Sequence, residues 1–368
     1  MEREEYARLL MIAQEAFIRR ASAVDHPFML KGSFVTRQYF PKGVLRIPAD
    51  LDWVYLQPIH DDETARQIFD DWLITITEKK ENDGVEFRSF TLNQFWRRID
   101  YAMSDDFPTV NTDLLCWVEG EEIQLFIDLS FNLDLESLPI PLKYEPISGE
   151  SFIVPRTVPL NLQVSWKIHQ TLVRPRFKDL FDLTYLVQNP EFTNETLALT
   201  LQALVNECSA DNIDLKRLDF FLKYDLATFF TQENIRDSWA VWRFEKWNRK
   251  RDFTLIFGIA KYITDVSVLP ENVNDFIDKF KSAMEKAGFG IHLIENLPKP
   301  THKKRIPYAG QPAQVLINEN KEKKKTEIEI KNRLLITDEN KIPIEEKAIV
   351  KTKRSNSIFD SILKLFNK

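Results

Sequence analysis

Cysteine is nearly absent: the 368 residues contain two, Cys116 and Cys208, far apart and outside any C-x-x-C or His/Cys grouping. Such usage supports neither a disulfide scaffold nor a zinc site, and it points to a reducing, cytoplasmic setting. Long apolar runs are also missing. No stretch approaches the ~20 residues that span a bilayer, which argues against stable membrane insertion. The N-terminus, Met1-Glu2-Arg3-Glu4-Glu5, is charged where a secretory leader would be apolar. Internal repeats and low-complexity tracts are absent. Positive charge is scarce over most of the chain: residues 1–300 carry 34 Lys and Arg against 47 Asp and Glu, whereas residues 301–368 carry 16 against 9. A polyphosphate is held mainly through clustered Lys and Arg. The acidic body therefore disfavours non-specific nucleic-acid binding and leaves an RNA only local contacts.

What is present is a chain rich enough in apolar residues, 43% hydrophobic and 12% aromatic, to bury a large core, and long enough for about two domains and an appendage. Residues 4–22 carry a helical apolar stripe, and Lys31 to Phe40 reads as another helix. Pro41, Gly43 and Pro48 punctuate the loop that follows, and a third helix is expected near Glu63–Leu73. Residues 113–118 and 122–130 read as a hairpin closed by Glu119-Gly120-Glu121. Pro139, Pro141, Pro146, Pro155 and Pro159 mark an extended crossing, which places a boundary near 155. Helical patterns then dominate: Leu162–Val173, Phe177–Val187, Glu195–Cys208, Leu215–Phe230, Ile235–Asn248, Phe253–Thr264 and Val273–Ala287. From about Pro298 the composition turns to Pro, Lys and Glu, with Lys321-Glu322-Lys323-Lys324-Lys325, as in a solvated tail. Its last residues, Ile358 to Phe366, are again amphipathic and suited to docking on the body, a partner or a membrane surface. The expected organisation is 1–155, 156–297 and a basic, flexible 298–368.

Two clusters carry chemistry. In the first, Leu30-Lys31-Gly32-Ser33 precedes Arg46-Ile47-Pro48-Ala49-Asp50-Leu51-Asp52. Asp50 and Asp52 alternate at the start of an apolar strand, so period two sends both carboxylates to one face. Paired carboxylates suit Mg²⁺, which completes its octahedron with waters and substrate phosphates. The Gly32-Ser33 turn offers backbone N–H groups and a hydroxyl to a phosphate, and Arg46 can neutralise phosphate charge. Asp128, near the end of its strand, can complete the metal site or take a proton from an attacking hydroxyl. The second cluster is Lys167 with Arg174-Pro175-Arg176-Phe177-Lys178-Asp179-Leu180-Phe181-Asp182. Asp179 and Asp182 are i, i+3 neighbours on one helical face, and Lys167 can turn toward them, as part of the site or as a structural ion network. His169 is expected to pack or hydrogen-bond locally. Residues 236–251 interleave tryptophans with bases, either to stack on an acceptor RNA or to pack Trp239 with Trp242 or Trp247 on the core.

Lys31-Gly32-Ser33, Arg46-x-x-x-Asp50-x-Asp52, Lys167 and Arg176-x-Lys178-Asp179-x-x-Asp182 resemble the motifs of the AbiEii/AbiGii-type nucleotidyltransferase toxins of bacterial toxin–antitoxin and phage-defence systems, over roughly residues 25–250. Pro48 stands where that family carries Ser or Thr. The resemblance implies an α/β (α+β) fold: an N-terminal mixed sheet with flanking helices, then a mostly α-helical C-terminal part that completes the active site. It implies nucleotide binding by Lys31, Gly32, Ser33, Arg46, Lys167, Arg176 and Lys178, and catalysis by Asp50, Asp52, Asp128, Lys167, Asp179 and Asp182. Asp50, Asp52 and Asp128 would hold one or two Mg²⁺. The implied reaction adds a nucleotide from an NTP to an RNA, commonly the 3′ end of tRNA, under control of a cognate antitoxin. Two other readings use the same residues: transfer to a protein hydroxyl or small molecule, and a non-catalytic binding or regulatory protein that keeps the fold.

Overall fold

A computed structural model of the chain describes residues 3–44, 48, 50–99, 108–226, 230, 235–243 and 269–301. Its elements run α1 (Arg3–Ser22), β1 (Phe28–Lys31), α2 (Ser33–Thr36), β2 (Leu51–Tyr55), α3 (Asp62–Glu78), β3 (Val85–Phe87), β4 (Arg97–Arg98), β5 (Thr109–Val118), β6 (Glu121–Phe131), β7 (Ile140–Tyr144) and β8 (Phe152–Thr157). Then come α4 (Leu160–Val173), α5 (Phe177–Leu186), α6 (Asn194–Ala210), α7 (Lys216–Leu222) and helices over Ile235–Trp242 and Val273–Lys286. Every regular element described after Thr157 is helical. None of the described helices is long and apolar enough to cross a membrane.

Strand periodicity decides which face does chemistry. Successive strand residues point to opposite sides, so Phe28, Leu30, Trp53 and Tyr55 share one face of β1 and β2 while Lys31 and Asp52 share the other. The aromatic face is covered by α1 and α3. Trp72 of α3 stacks on Phe28 at 4.0 Å and meets Trp53 edge-on at 5.3 Å, while Phe17 of α1 reaches both tryptophans. Helix α3 starts where it does because Asp61 caps it, accepting from Thr64 N at 2.8 Å. Burying each such aromatic contributes roughly 1.5–3 kcal/mol, which holds the strands against these helices and leaves Lys31 and Asp52 on the opposite face.

The strands form one mixed sheet in the order β3-β5-β6-β2-β1-β8-β7, with β4 paired to β5. β2 lies parallel to β6, and β1 parallel to β8. This is the mixed sheet with flanking helices that the family resemblance implied. Hairpin β5–β6 turns on two residues, Glu119 (φ 53°) and Gly120 (φ 84°), a left-handed pair that matches strand twist. The strands are consequently longer than the expected 113–118 and 122–130.

Two expected helices come out differently. Lys31 ends β1 rather than starting a helix, because Gly32 (φ 73°) turns the chain; only Ser33–Thr36 and a 3-10 turn over Arg37–Tyr39 follow. The helix expected over Leu215–Phe230 stops at Leu222, where Tyr224 (φ 59°) adopts the left-handed conformation and Asp225 N returns to Phe220 O. Arg46, residues 244–250, Phe253–Thr264 and everything after Thr301, including the amphipathic 358–366, lie outside the described residues.

Candidate active site

Four adjacent strands carry a polar row across the face away from α1 and α3. Asn111 of β5 pairs with Asp128 of β6, Asp128 with Asp52 of β2, and Asp52 with Lys31 of β1. Asp50, one residue before β2, swings its carboxylate to the same point: carboxylate oxygens of Asp50, Asp52 and Asp128 all lie within 4.8 Å of one another. Asp128 is buried and Asp52 is 22% exposed. Lys31 Nζ stands 3.8 Å from Asp52 Oδ1. Burial and then the charge of Asp50 push the Asp52 carboxyl up to about 6, against the pull of Lys31, Lys178 and Lys167. Three converging carboxylates form an all-oxygen donor set, the kind that hard divalent cations take.

The turn between β1 and α2 is shaped around this cluster. Gly32 has φ 73° and ψ −153°, a region almost reserved for glycine. A methyl group there would overlap Asp52 Oδ2 and lie 2.8 Å from its Cγ. Ser33 follows as the buried first residue of α2. Thr36 Oγ1 lies 3.0 Å from both Gly32 O and Gln163 Oε1, which ties the turn to α4.

The second cluster sits on α4 and α5. Lys167 Nζ is 2.6 Å from Asp182 Oδ2 and 3.4 Å from Asp179 Oδ1, and Arg176 Nε donates to Asp179 Oδ2 at 2.6 Å. Pro175 breaks the chain before α5, Arg176 occupies its N-cap position, and Asp179 falls in its first turn, where the helix dipole favours an anion. Asp179 and Asp182 are 1% and 0% exposed. Burial works against ionising Asp179, yet the charges of Arg176, Lys167 and Lys178 hold its carboxyl down at about 2. Arg176 is itself pushed up: burial opposes its charge, but Asp179, and more weakly Asp50 and Asp182, outweigh it. The fields of Lys167 and Lys178 reach Asp52, and that of Asp50 reaches Arg176. The two sequence clusters thus face each other.

Lys31, Gly32, Ser33, Asp50, Asp52 and Asp128 therefore gather at the sheet, with Lys167, Arg176, Lys178 and Asp179 opposite. Asp182 is turned inward as the partner of Lys167, and Arg46 lies outside the described residues. Asp128 is inside β6, three residues from its end, and not at an exposed strand terminus. Asn111 was not anticipated: its Nδ2 donates to Asp128 Oδ1, and its Oδ1 accepts from Arg97. Once the turn is placed at Glu119-Gly120, counting back along both strands puts Asn111 opposite Asp128. Trp239 is core. It is 1% exposed, stacks on Phe276 at 4.4 Å and donates to Pro270 O, while half-buried Trp242 lies against Phe177 and Phe181. Trp239 is therefore not placed to stack on a base, and Trp247 with its neighbouring bases lies outside the described residues.

No curated protein matches this sequence. Among the solved structures similar to it are the following two. One is MenT4, a nucleotidyltransferase toxin from Mycobacterium tuberculosis H37Rv, 12% identical, with a TM-score of 0.46 over 81% of this chain and 87% of the other. The second is a putative nucleotidyltransferase from H. pylori, 16% identical, with a TM-score of 0.35 over 78% of this chain and 98% of the other. The family model described as nucleotidyl transferase AbiEii toxin, type IV toxin–antitoxin system, matches residues 16–243. That is more than half of the chain, which therefore belongs to the AbiEii family of nucleotidyltransferase toxins.

Proposed function

We propose that the protein is a divalent-metal-dependent nucleotidyltransferase toxin that transfers a nucleotide from an NTP to an RNA hydroxyl, with the 3′ end of tRNA as acceptor, in the cytoplasm of a cell that also makes its antitoxin. The observation that carries the chemistry is the convergence of Asp50, Asp52 and Asp128 beneath the cations of α4 and α5. A nucleotide polyphosphate brings several negative charges, and among the described residues Lys31, Lys167, Lys178 and Arg176 lie within electrostatic reach of the acids and can balance them. The sheet part, 1–155, and the helical part, 156–297, are read as two halves of one site.

Asp50, Asp52 and Asp128 would hold Mg²⁺. All three are oxygen donors on one face, an arrangement that supports a divalent cation there, and burial together with the charge of Asp50 raises the Asp52 carboxyl. When bound, the ion supplies Lewis acidity and orients the phosphates. The chain's own part is positioning and electrostatics, which dominate such transfers. The backbone around Gly32 and the Ser33 hydroxyl cradle the β- and γ-phosphates, while Lys31 and Lys178 neutralise them. Lys167, steered by Asp182, meets the charge that develops on the leaving pyrophosphate. The acceptor oxygen bonds to the α-phosphorus as the bridge to the β-phosphate breaks. Asp128, which accepts from Asn111 through Oδ1, would help hold the cation or take the acceptor's proton.

Each labelled NTP, incubated with the protein, total RNA and total protein, tests this reading. Label is expected in RNA, at a tRNA 3′ end, and lost with Asp50→Ala. If metal contacts contribute ~3–5 kcal/mol to the transition state, that loss is roughly two to four decades in rate. The acidic body of the chain favours one second reading, a protein or small-molecule acceptor. Label found only in protein would replace the RNA reading with it.

A further inference from the structure

On the side of α4 away from the acidic triad, a second set of metal-ligating side chains is buried against α6. His169, two residues beyond Lys167, is 0% exposed; Glu207 in the last turn of α6 is 4% exposed; and the side chain of Asp211, the C-cap residue of α6, is 8% exposed. One ligand atom from each lies within 4.8 Å of the other two. Neither oxygen of Asp211 takes a hydrogen bond among the described residues, although His169 Nε2 stands only 3.0 Å from Oδ2. A buried carboxylate without hydrogen bonds is uncommon. His169 Nε2 and Asp211 Oδ2 pair at 3.0 Å, and a spacing of about 3–3.5 Å is also that of two ligands of one ion at Zn–N and Zn–O lengths of about 2.0–2.2 Å. The position adds to the argument. Two carboxylates crowd the negative end of α6, whose last turn carries no basic residue, so the helix dipole repels them and a cation between them would relieve it.

We propose that His169, Glu207 and Asp211 form a second, structural site for a borderline divalent ion of the Zn²⁺ class, distinct from the acidic triad. One imidazole with two carboxylates suits such an ion better than Mg²⁺. Scarce cysteine argues only against a thiolate site. The bound ion clamps α4 to α6 and thereby holds in place the helix that presents Lys167.

The test uses the full chain carrying D50N and D52N, so that the triad no longer competes, loaded with Zn²⁺ and desalted. Elemental analysis is expected to find about one equivalent of zinc, and chelation to lower the melting temperature, since a structural ion contributes its binding free energy to the fold. D211N is expected to weaken Zn²⁺ binding at least about tenfold, because loss of even an outer partner does as much. No retained ion in the D50N/D52N protein, which would leave a His169–Asp211 ion pair only, overturns the proposal. Binding that D211N and H169Q both leave unchanged overturns it as well, by placing the ion elsewhere. Where those variants fail to fold, X-ray absorption of zinc in the D50N/D52N protein decides: a nitrogen and oxygen shell with imidazole scattering supports the site, and a shell without imidazole overturns it.

Discussion

Gly32 and Asp52 occupy adjoining space so closely that a side chain at position 32 and the Asp52 carboxylate exclude each other: a methyl would lie 2.8 Å from Asp52 Cγ and 2.9 Å from its Cβ. The glycine that turns the chain out of β1 is thus also a condition for the acidic triad. Gly32→Ala should cost about 1–3 kcal/mol of stability from its strained backbone. It should also cost about a hundredfold in nucleotide transfer, the effect of displacing a reacting group by roughly 1 Å. Steady-state rates beside a melting curve check both, and a folded variant with full activity would separate the turn from the triad.

Asp52 makes metal binding and pH interdependent. Burial, then Asp50, raises its carboxyl from 3.8 to about 6, so the folded state binds the proton more tightly than the unfolded one. Its contribution to stability therefore grows as pH falls from about 6 toward about 4 and is unfavourable at neutral pH. Mg²⁺ is expected to raise the melting temperature more at about pH 7.5 than at about pH 5, and Asp52→Asn to raise that of the metal-free protein at the higher pH. Differential scanning fluorimetry at both pH values reads this directly, and equal Mg²⁺ shifts would contradict it.

Lys167 is bound to stability as well as to function. Lys167→Met removes the ammonium that stands 2.6 Å from the fully buried Asp182, a change that typically costs about 3–5 kcal/mol. Lys167→Met with Asp182→Asn should recover most of that in a urea titration while activity stays low. Asp179 behaves in the opposite sense to Asp52. Held at about 2 by its cations despite burial, it contributes stability that is complete above its ordinary 3.8 and lost as pH falls through about 2. Arg176→Ala should move the acid-unfolding midpoint to higher pH.

Asn111 fixes one oxygen of Asp128 and is itself held by Arg97. Asn111→Leu is expected to lower kcat about 10–100-fold, the usual effect of losing the partner of a metal-ligating group, with little change in KM for NTP. A fall in KM-dependent binding alone, with kcat intact, would place Asn111 outside the reaction's geometry.

Local rules made much of this protein legible in its sequence. Strand alternation put Asp52 on the face opposite Leu51 and Trp53, a glycine and a proline marked the turns before α2 and α5, and i, i+3 spacing joined Asp179 to Asp182. Each depends on residues a few positions apart, where backbone geometry alone sets direction. The sheet order β5-β6-β2-β1 is another matter. Only the parallel pairing of β2 with β6 sets Asp52 beside Asp128, and only packing of α4 and α5 over that face brings Lys167 and Lys178 within reach. Packing of the helices on one another turned Asp182 inward, sank Trp239 against Phe276 and enclosed His169 with Asp211 at the end of α6. Residues so far apart in the chain are joined by burial of apolar surface, which has no direction of its own, and their neighbours are therefore decided by tertiary structure.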